Sequence, residues 1–198
     1  MKSLSSKRAQ PRTTASAGEA QTSAQLWREN IESLVWAVAL ALIMRTFIVA
    51  PFKIPSGSMH PTLIEGDRIL VNKFIYRFHE PLRGDIVVFK YPVDGKRPFI
   101  KRLIGTGGDR IEIRDGKIWA NGNLVNEPAV FNGITYYNQG IHGKVGEVVN
   151  VPDASYYVLG DNSASSHDSR FWGFVPKRNM IGKALCIFWP PNSMRILK

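Results

Sequence analysis

The chain has 198 residues, enough for one domain with a core and a short appendage but too few for two full-sized domains. Hydrophobic residues make up 44% and charged residues 21%, a globular balance that confines any membrane segment to a small part of the chain. The formal net charge of +10 implies an anionic partner, yet Lys and Arg are spread without a basic stripe or an aromatic nucleotide-binding signature, which disfavours nucleic acid and favours the headgroup surface of a lipid bilayer.

Residues 1–25 are rich in Ser, Thr, Ala, Gln and Lys and almost free of large apolar side chains, which predicts a disordered tail. From Leu34 to Ala50 the run LVWAVALALIMRTFIVA is apolar but for Arg45 and Thr46. Seventeen helical residues at 1.5 Å each span roughly 26 Å and Ile31 can extend them, so a transmembrane helix is expected over residues 31–50. A buried core helix is the alternative, but no other part of the chain offers helices for it to pack against. Arg45 lies a turn or two from the end, where its long stem carries the guanidinium to the headgroups. Lys2, Lys7, Arg8, Arg12 and Arg28 precede the run, which predicts a cytoplasmic N-terminus and an extracytoplasmic domain over residues 51–198. No small-x-small site follows the run and Pro51 comes directly after Ala50, so it reads as an anchor and not as a cleaved signal.

Beyond Pro55 the pattern turns to short β-rich runs: RILVNKFI from Arg68, DIVVFKY from Asp85, PFIKRLIG from Pro98, SYYVL from Ser155 and IGKALCIFW from Ile181. In RIEIRDGKIWANGNLV, Asp115-Gly116 and Asn121-Gly122 each supply the left-handed residues of a tight hairpin, predicting a three-stranded meander. The fold class is therefore mainly β, an antiparallel β-sheet domain preceded by one N-terminal transmembrane helix. Gly-Asp recurs at Gly66-Asp67, Gly84-Asp85, Gly108-Asp109 and Gly160-Asp161, three times directly before a strand; the surroundings differ, so this is turn punctuation and not an internal repeat.

Cys186 is the only cysteine, which excludes an intramolecular disulfide and a multi-cysteine zinc site. His60, His79, His142 and His167 lack the close pairing of a helical metal site, so neither a metal nor a cofactor is expected. The run PSGSMHPT from Pro55 sets Ser58 in a constrained loop without the G-x-S-x-G pattern of a hydrolase elbow. A serine hydroxyl is a weak nucleophile near neutral pH and needs a base. Lysine can serve only when neutral, which requires its pKa to fall about three units through desolvation and nearby positive charge. In an extended PFIKRLIG, Phe99, Lys101 and Leu103 share one face and Ile100, Arg102 and Ile104 the other, which sets Lys101 among apolar neighbours. The competing reading is an edge lysine that resists aggregation.

Three segments together, SGSMHPT, KRLIGTGGD from Lys101 and GDNSASSHDSRFWGFVP from Gly160, resemble bacterial type I signal peptidase in content, order and spacing, with Gly66-Asp67 a further element. The resemblance covers nearly everything from the apolar run to the C-terminus. It implies a membrane-bound serine endopeptidase that removes signal peptides from exported preproteins, with Ser58 as nucleophile, Lys101 as general base, and the Ser56 hydroxyl joining the Ser58 amide in an oxyanion hole. It further implies that Ser166 orients the lysine and that Asp161, Asp168 and Arg170 form structural ion pairs, with Arg102 the partner of Asp161. A small-x-small cleavage preference comes with it. The sequence departs from the common pattern at Gly107, where proline is frequent, and at Ser163, where arginine is frequent. The short stretch from Arg110 to Asp153 implies a compact member whose small β subdomain, about 110–153, is the meander. Trp172, Phe188 and Trp189 read equally as core or membrane-facing. A Ser-His-Asp hydrolase using Ser58, a histidine such as His167 and Asp67, Asp161 or Asp168 is the rival enzyme class; a tethered β scaffold is the rival non-enzyme.

Overall fold

A computed structural model of the protein describes residues 23–43 and 48–197. Helix α1 runs Ser23–Ile43. Its first half carries Arg28, Glu29 and Glu32, and the ten residues from Leu34 to Ile43 are apolar. Ten helical residues measure roughly 15 Å, about half a hydrocarbon core. Among the described residues no helix is long and apolar enough to cross a membrane. The large side chains along this half, Leu34, Trp36, Val38, Leu40 and Leu42, are all exposed.

The helix expected over 31–50 is thus corrected at both ends. It begins at Ser23, so Ser23–Gln25, assigned to the tail, form its first turn; residues 1–22 lie outside the described residues. Its described part ends at Ile43, and Val49 and Ala50 belong to strand β1 (Val49–Lys53). The reason is tertiary: these residues pair in register with β2 (Arg68–Asn72), and Pro51 is tolerated because β1 is the edge of its sheet. Arg45 and Thr46 lie outside the described residues.

The remaining strands are β3 (Ile86–Lys90), β4 (Pro98–Thr106), β5 (Arg110–Arg114), β6 (Lys117–Ala120), β7 (Asn123–Leu124), β8 (Val148–Asn150), β9 (Ser155–Leu159), β10 (Val175–Pro176), β11 (Met180–Trp189) and β12 (Arg195–Ile196). They form an eight-stranded sheet in the order β1-β2-β11-β3-β4-β9-β10, with β12 also on β11, and a four-stranded sheet in the order β7-β6-β5-β8. Every pairing is antiparallel. Strand β2 is shorter than RILVNKFI because the Asn72 side chain accepts the amides of Phe74 and Ile75 and turns the chain. In the meander β5-β6-β7, Asp115, Gly116, Asn121 and Gly122 all have positive φ, as the hairpin turns require.

The first three Gly-Asp pairs share one device. The Asp67, Asp85 and Asp109 carboxylates accept the amides of Ile64, Leu82 and Thr106, three residues back, and each preceding glycine has positive φ. One core lies around Ile69, Val71, Ile86, Ala184 and Ile187; a second, around Val87, Phe89, Leu103 and Val158, includes Trp172 as a half-buried neighbour. A third, with Ile111, Ile118, Tyr136, Val149 and Leu159, lies against the small sheet. Trp189 is exposed.

Candidate active site

Strand β4 lies between β3 and β9, but at Lys101 it pairs only with β3; burial, and not strand order, separates this lysine from the exposed edge lysine of the competing reading. Lys101 pairs across with Val87, lies near the Phe99 ring and is almost fully buried. Ser58 occupies a single 3-10 turn, Gly57–Met59, preceded by an extended Ser56 and followed into the core by Met59, which is fully buried. The two segments, 43 residues apart, meet with Lys101 Nζ 2.6 Å from Ser58 Oγ. Burial pushes the Lys101 ammonium down from 10.5 to about 8; Asp168 and Asp161 pull it back up and Arg170 adds to the fall.

The two carboxylates do not overwhelm burial because each is neutralised. Arg102 grips Asp161 in a fork, Nε to Oδ1 at 2.8 Å and a terminal nitrogen to Oδ2 at 2.6 Å, with both side chains fully buried. Another Arg102 nitrogen donates to the Gly84 carbonyl, and Thr62 Oγ1 donates to Asp161. Arg170 forks onto Asp168 in the same way and also donates to the Tyr137 carbonyl, to Ser163 Oγ and to the Ser163 carbonyl. Asp168 Oδ2 accepts the Gly160 amide, and its Oδ1 accepts the Arg170 amide to cap the short helix α2 (Ser169–Trp172).

The loop from Gly160 carries Asn162, whose amide nitrogen donates to the Ser58 carbonyl and whose side chain donates to the Gly57 carbonyl. Gly160 has to be glycine: a Cβ there would come 2.2 Å from Ser166 Oγ and 2.4 Å from the Ser58 carbonyl oxygen. Ser56 is exposed and extended and, with Ser58, His60, Phe99, Lys101 and His167, lines an open cleft of about 520 Å³.

Ser166 departs from expectation. It is buried, but its Oγ has no hydrogen-bond partner among the described residues, so the expected bond to Lys101 is not made. Its hydroxyl sits instead against Gly160, while its carbonyl accepts from Arg170. At Ser163, where arginine is frequent in the resembled pattern, the hydroxyl accepts from Arg170 and from the Tyr137 amide, so this departure is absorbed locally. At Gly107 a Cβ would press on the backbone of residues 152–154 at 3.1–3.2 Å.

The rival triad is not assembled: the Asp168 carboxylate faces Arg170, while neighbouring His167 stacks on Phe171 and approaches Tyr91. Among the described residues no cluster of His, Cys, Asp or Glu could hold a metal ion. Sequence reasoning missed Thr62, Asn162 and Tyr137. The first two stand inside the recognised motifs and carried that much signal; Tyr137 has no local signature, and only the fold brings its carbonyl to Arg170.

The family described as "Signal peptidase, peptidase S26" matches residues 27–189. A Synechocystis protein named "Probable signal peptidase I-2" is 41% identical over 177 residues, covering 86% of this chain and 77% of its own. Signal peptidase I of Leptolyngbya laminosa is 39% identical over 174 residues, 84% of this chain and 81% of its own. A solved signal peptidase I from Enterococcus faecalis V583 aligns with 53% of this chain and 97% of that one at 30% identity, with a TM-score of 0.44.

Proposed function

Because the chain belongs to the signal peptidase family, peptidase S26, and is a serine protease of that family, we propose that Ser58 and Lys101 are the dyad with which it removes signal peptides from exported preproteins. The observation that carries this assignment is the 2.6 Å contact between a depressed, buried lysine and a serine at the floor of an open cleft. Neutral Lys101 takes the Ser58 proton as Oγ attacks the scissile carbonyl carbon. The resulting ammonium gives that proton to the departing amine, leaving an acyl-serine. Lys101 then takes a proton from water, the hydroxide adds to the ester carbonyl, and the proton returns to Ser58 Oγ as the acid leaves.

The oxyanion is assigned to the Ser58 amide and the Ser56 hydroxyl. That amide sits at the start of a 3-10 turn, where amides have no acceptor inside the turn, and Ser56 lines the same cleft. Ser166 Oγ, unpartnered beside Gly160, is left to accept an N–H of the neutral Lys101 amine once Ser58 is acylated and so to hold that amine toward the incoming water. The pairs Arg102–Asp161 and Arg170–Asp168 keep carboxylate charge off Lys101.

Substrate is proposed to enter as an extended strand. Residues 98–101 pair with β3 on one side, whereas β9 begins pairing only at Arg102, so this part of β4 presents free backbone groups toward the dyad. Pairing of this kind with shallow side-chain pockets fits small residues first and third before the cleaved bond. We also propose that the chain is membrane-bound with a cytoplasmic N-terminus. The support is the exposed apolar half of α1 and the basic residues before it. The test is incubation with matched preproteins bearing Ala, Leu or Trp at the first and third positions, followed by sequencing of the new N-terminus. Cleavage of the Ala substrate alone is expected; equal rates across the series would remove the specificity while leaving the dyad standing.

A further inference from the structure

Away from the dyad, a second open cleft of about 540 Å³ is lined by Lys73, Arg77, Lys90, Lys177 and Arg178 over an apolar floor that includes Met180. Cations gathered in one cleft repel one another unless anions offset them. Lys177 is paired with Glu80, but among the described residues Arg77, Lys90 and Arg178 form no ion pair. Cations without an ion pair also occur elsewhere among the described residues, at Lys53, Arg68, Lys96, Arg110 and Lys144, so what sets this cleft apart is that Arg77, Lys90 and Arg178 converge on one concave site.

The turn that supplies Arg77 also exposes two aromatic rings. Phe74 and Phe78 touch with centroids 4.7 Å apart, Phe78 is 67% exposed, and the Arg77 guanidinium lies over the Phe74 ring. Apolar rings beside unpaired cations match the interface of an anionic bilayer, where rings sit at headgroup level and cations meet phosphate. The turn is also tied to the start of the domain: the Lys73 amide donates to the Ile48 carbonyl.

We propose that this cleft binds the phosphate headgroup of an anionic phospholipid, with Phe74 and Phe78 seated in the adjoining membrane interface. The proposal rests on the reading that the chain is membrane-bound and names the lipid class and the surface that meets it. The charge complementarity alone would serve a free phosphate or an acidic peptide; the exposed rings beside the cations favour lipid.

The test uses the full chain reconstituted in vesicles of phosphatidylcholine alone and of phosphatidylcholine with increasing phosphatidylglycerol. Hydrogen exchange is read at the backbone amides of residues 73–81 and 177–181, and retention in the membrane pellet after alkaline carbonate is read in parallel. Protection of both segments that rises with phosphatidylglycerol is expected, with Arg77→Gln, Lys90→Gln and Arg178→Gln each raising the half-maximal phosphatidylglycerol fraction about fivefold. Phe74→Ser/Phe78→Ser should weaken protection without abolishing it. A chain retained in the pellet but equally protected in both vesicles would overturn the lipid site and leave the anchor intact. A chain lost from the pellet would instead overturn the anchor reading, and the proposal with it. Equal protection in neutral vesicles by inorganic phosphate, or by an oligoglutamate peptide, would make this a soluble-anion or a peptide site and overturn the lipid assignment.

Discussion

Lys101 places the chemistry on one ionisation. With its pKa near 8, about a tenth of the lysine is neutral at pH 7, so cleavage is expected to rise with a midpoint near pH 8 and level off above it. Lys101→Arg should be inactive at every pH, since a guanidinium does not deprotonate. The same shift has a stability consequence of defined sign. Between pH 8 and 10.5 the unfolded chain binds more protons at this site than the folded one, so folded stability rises across that window. Below pH 8 the full penalty of burying the ammonium is present, on the order of 3 kcal/mol. Lys101→Met, close in volume, should therefore melt at higher temperature than wild type at pH 7, by a margin that shrinks as pH approaches 10.5. An unchanged margin from pH 7 to 10.5 in thermal melts would refute the depressed lysine.

At the scale of elements, β4 and the loop from Gly160 to Arg170 are joined by two buried ion pairs, and these have different consequences. Arg102 holds β4 to Asp161 and to Gly84, and of this pair the Asp161 carboxylate acts on Lys101, less than Asp168 does. Arg170 holds Asp168, whose field acts on Lys101. Arg170→Gln leaves the Asp168 carboxylate unpaired beside Lys101, which should raise the lysine pKa and move the activity midpoint to higher pH. Removing one member of a buried pair also costs about 3–5 kcal/mol, so the profile is measured on the folded fraction at low temperature. A fall in activity with no movement of the midpoint would reduce Arg170 to scaffolding.

For the whole molecule, the relevant boundary is where the strand-forming chain begins. Deleting residues 1–47 leaves β1 intact, whereas deleting residues 1–50 removes Val49 and Ala50 from its pairing with Asn72 and Val71. The shorter deletion should yield a folded domain that cleaves peptides in detergent, and the longer one should melt several degrees lower. Identical melting curves would mean that β1 contributes nothing to the fold. If the 1–47 deletion were as active in plain buffer as the full chain in membranes, the membrane-facing reading of the site would fall.

Much of this molecule was legible in its residues because the signals were local. The hairpin turns at Asp115-Gly116 and Asn121-Gly122 need only left-handed backbone, and the alternation around Lys101 needs only an extended strand. The pairing of Arg102 with Asp161 and of Asp168 with Arg170 followed from motif resemblance, and their burial and forked geometry came from the fold. What depended on chains meeting at a distance stayed hidden. The apolar composition of residues 31–50 is compatible with one continuous helix, and only pairing with β2 gives Val49 and Ala50 to a strand. Ser166 lies in the right motif, yet its hydroxyl is turned to Gly160 by contacts that no spacing encodes. Sequence by itself determined the residue types and local backbone of the site, because these rest on covalent and nearest-neighbour physics. Tertiary structure alone decided that Lys101 is desolvated in a central strand 2.6 Å from Ser58, because desolvation is a property of everything packed around a group.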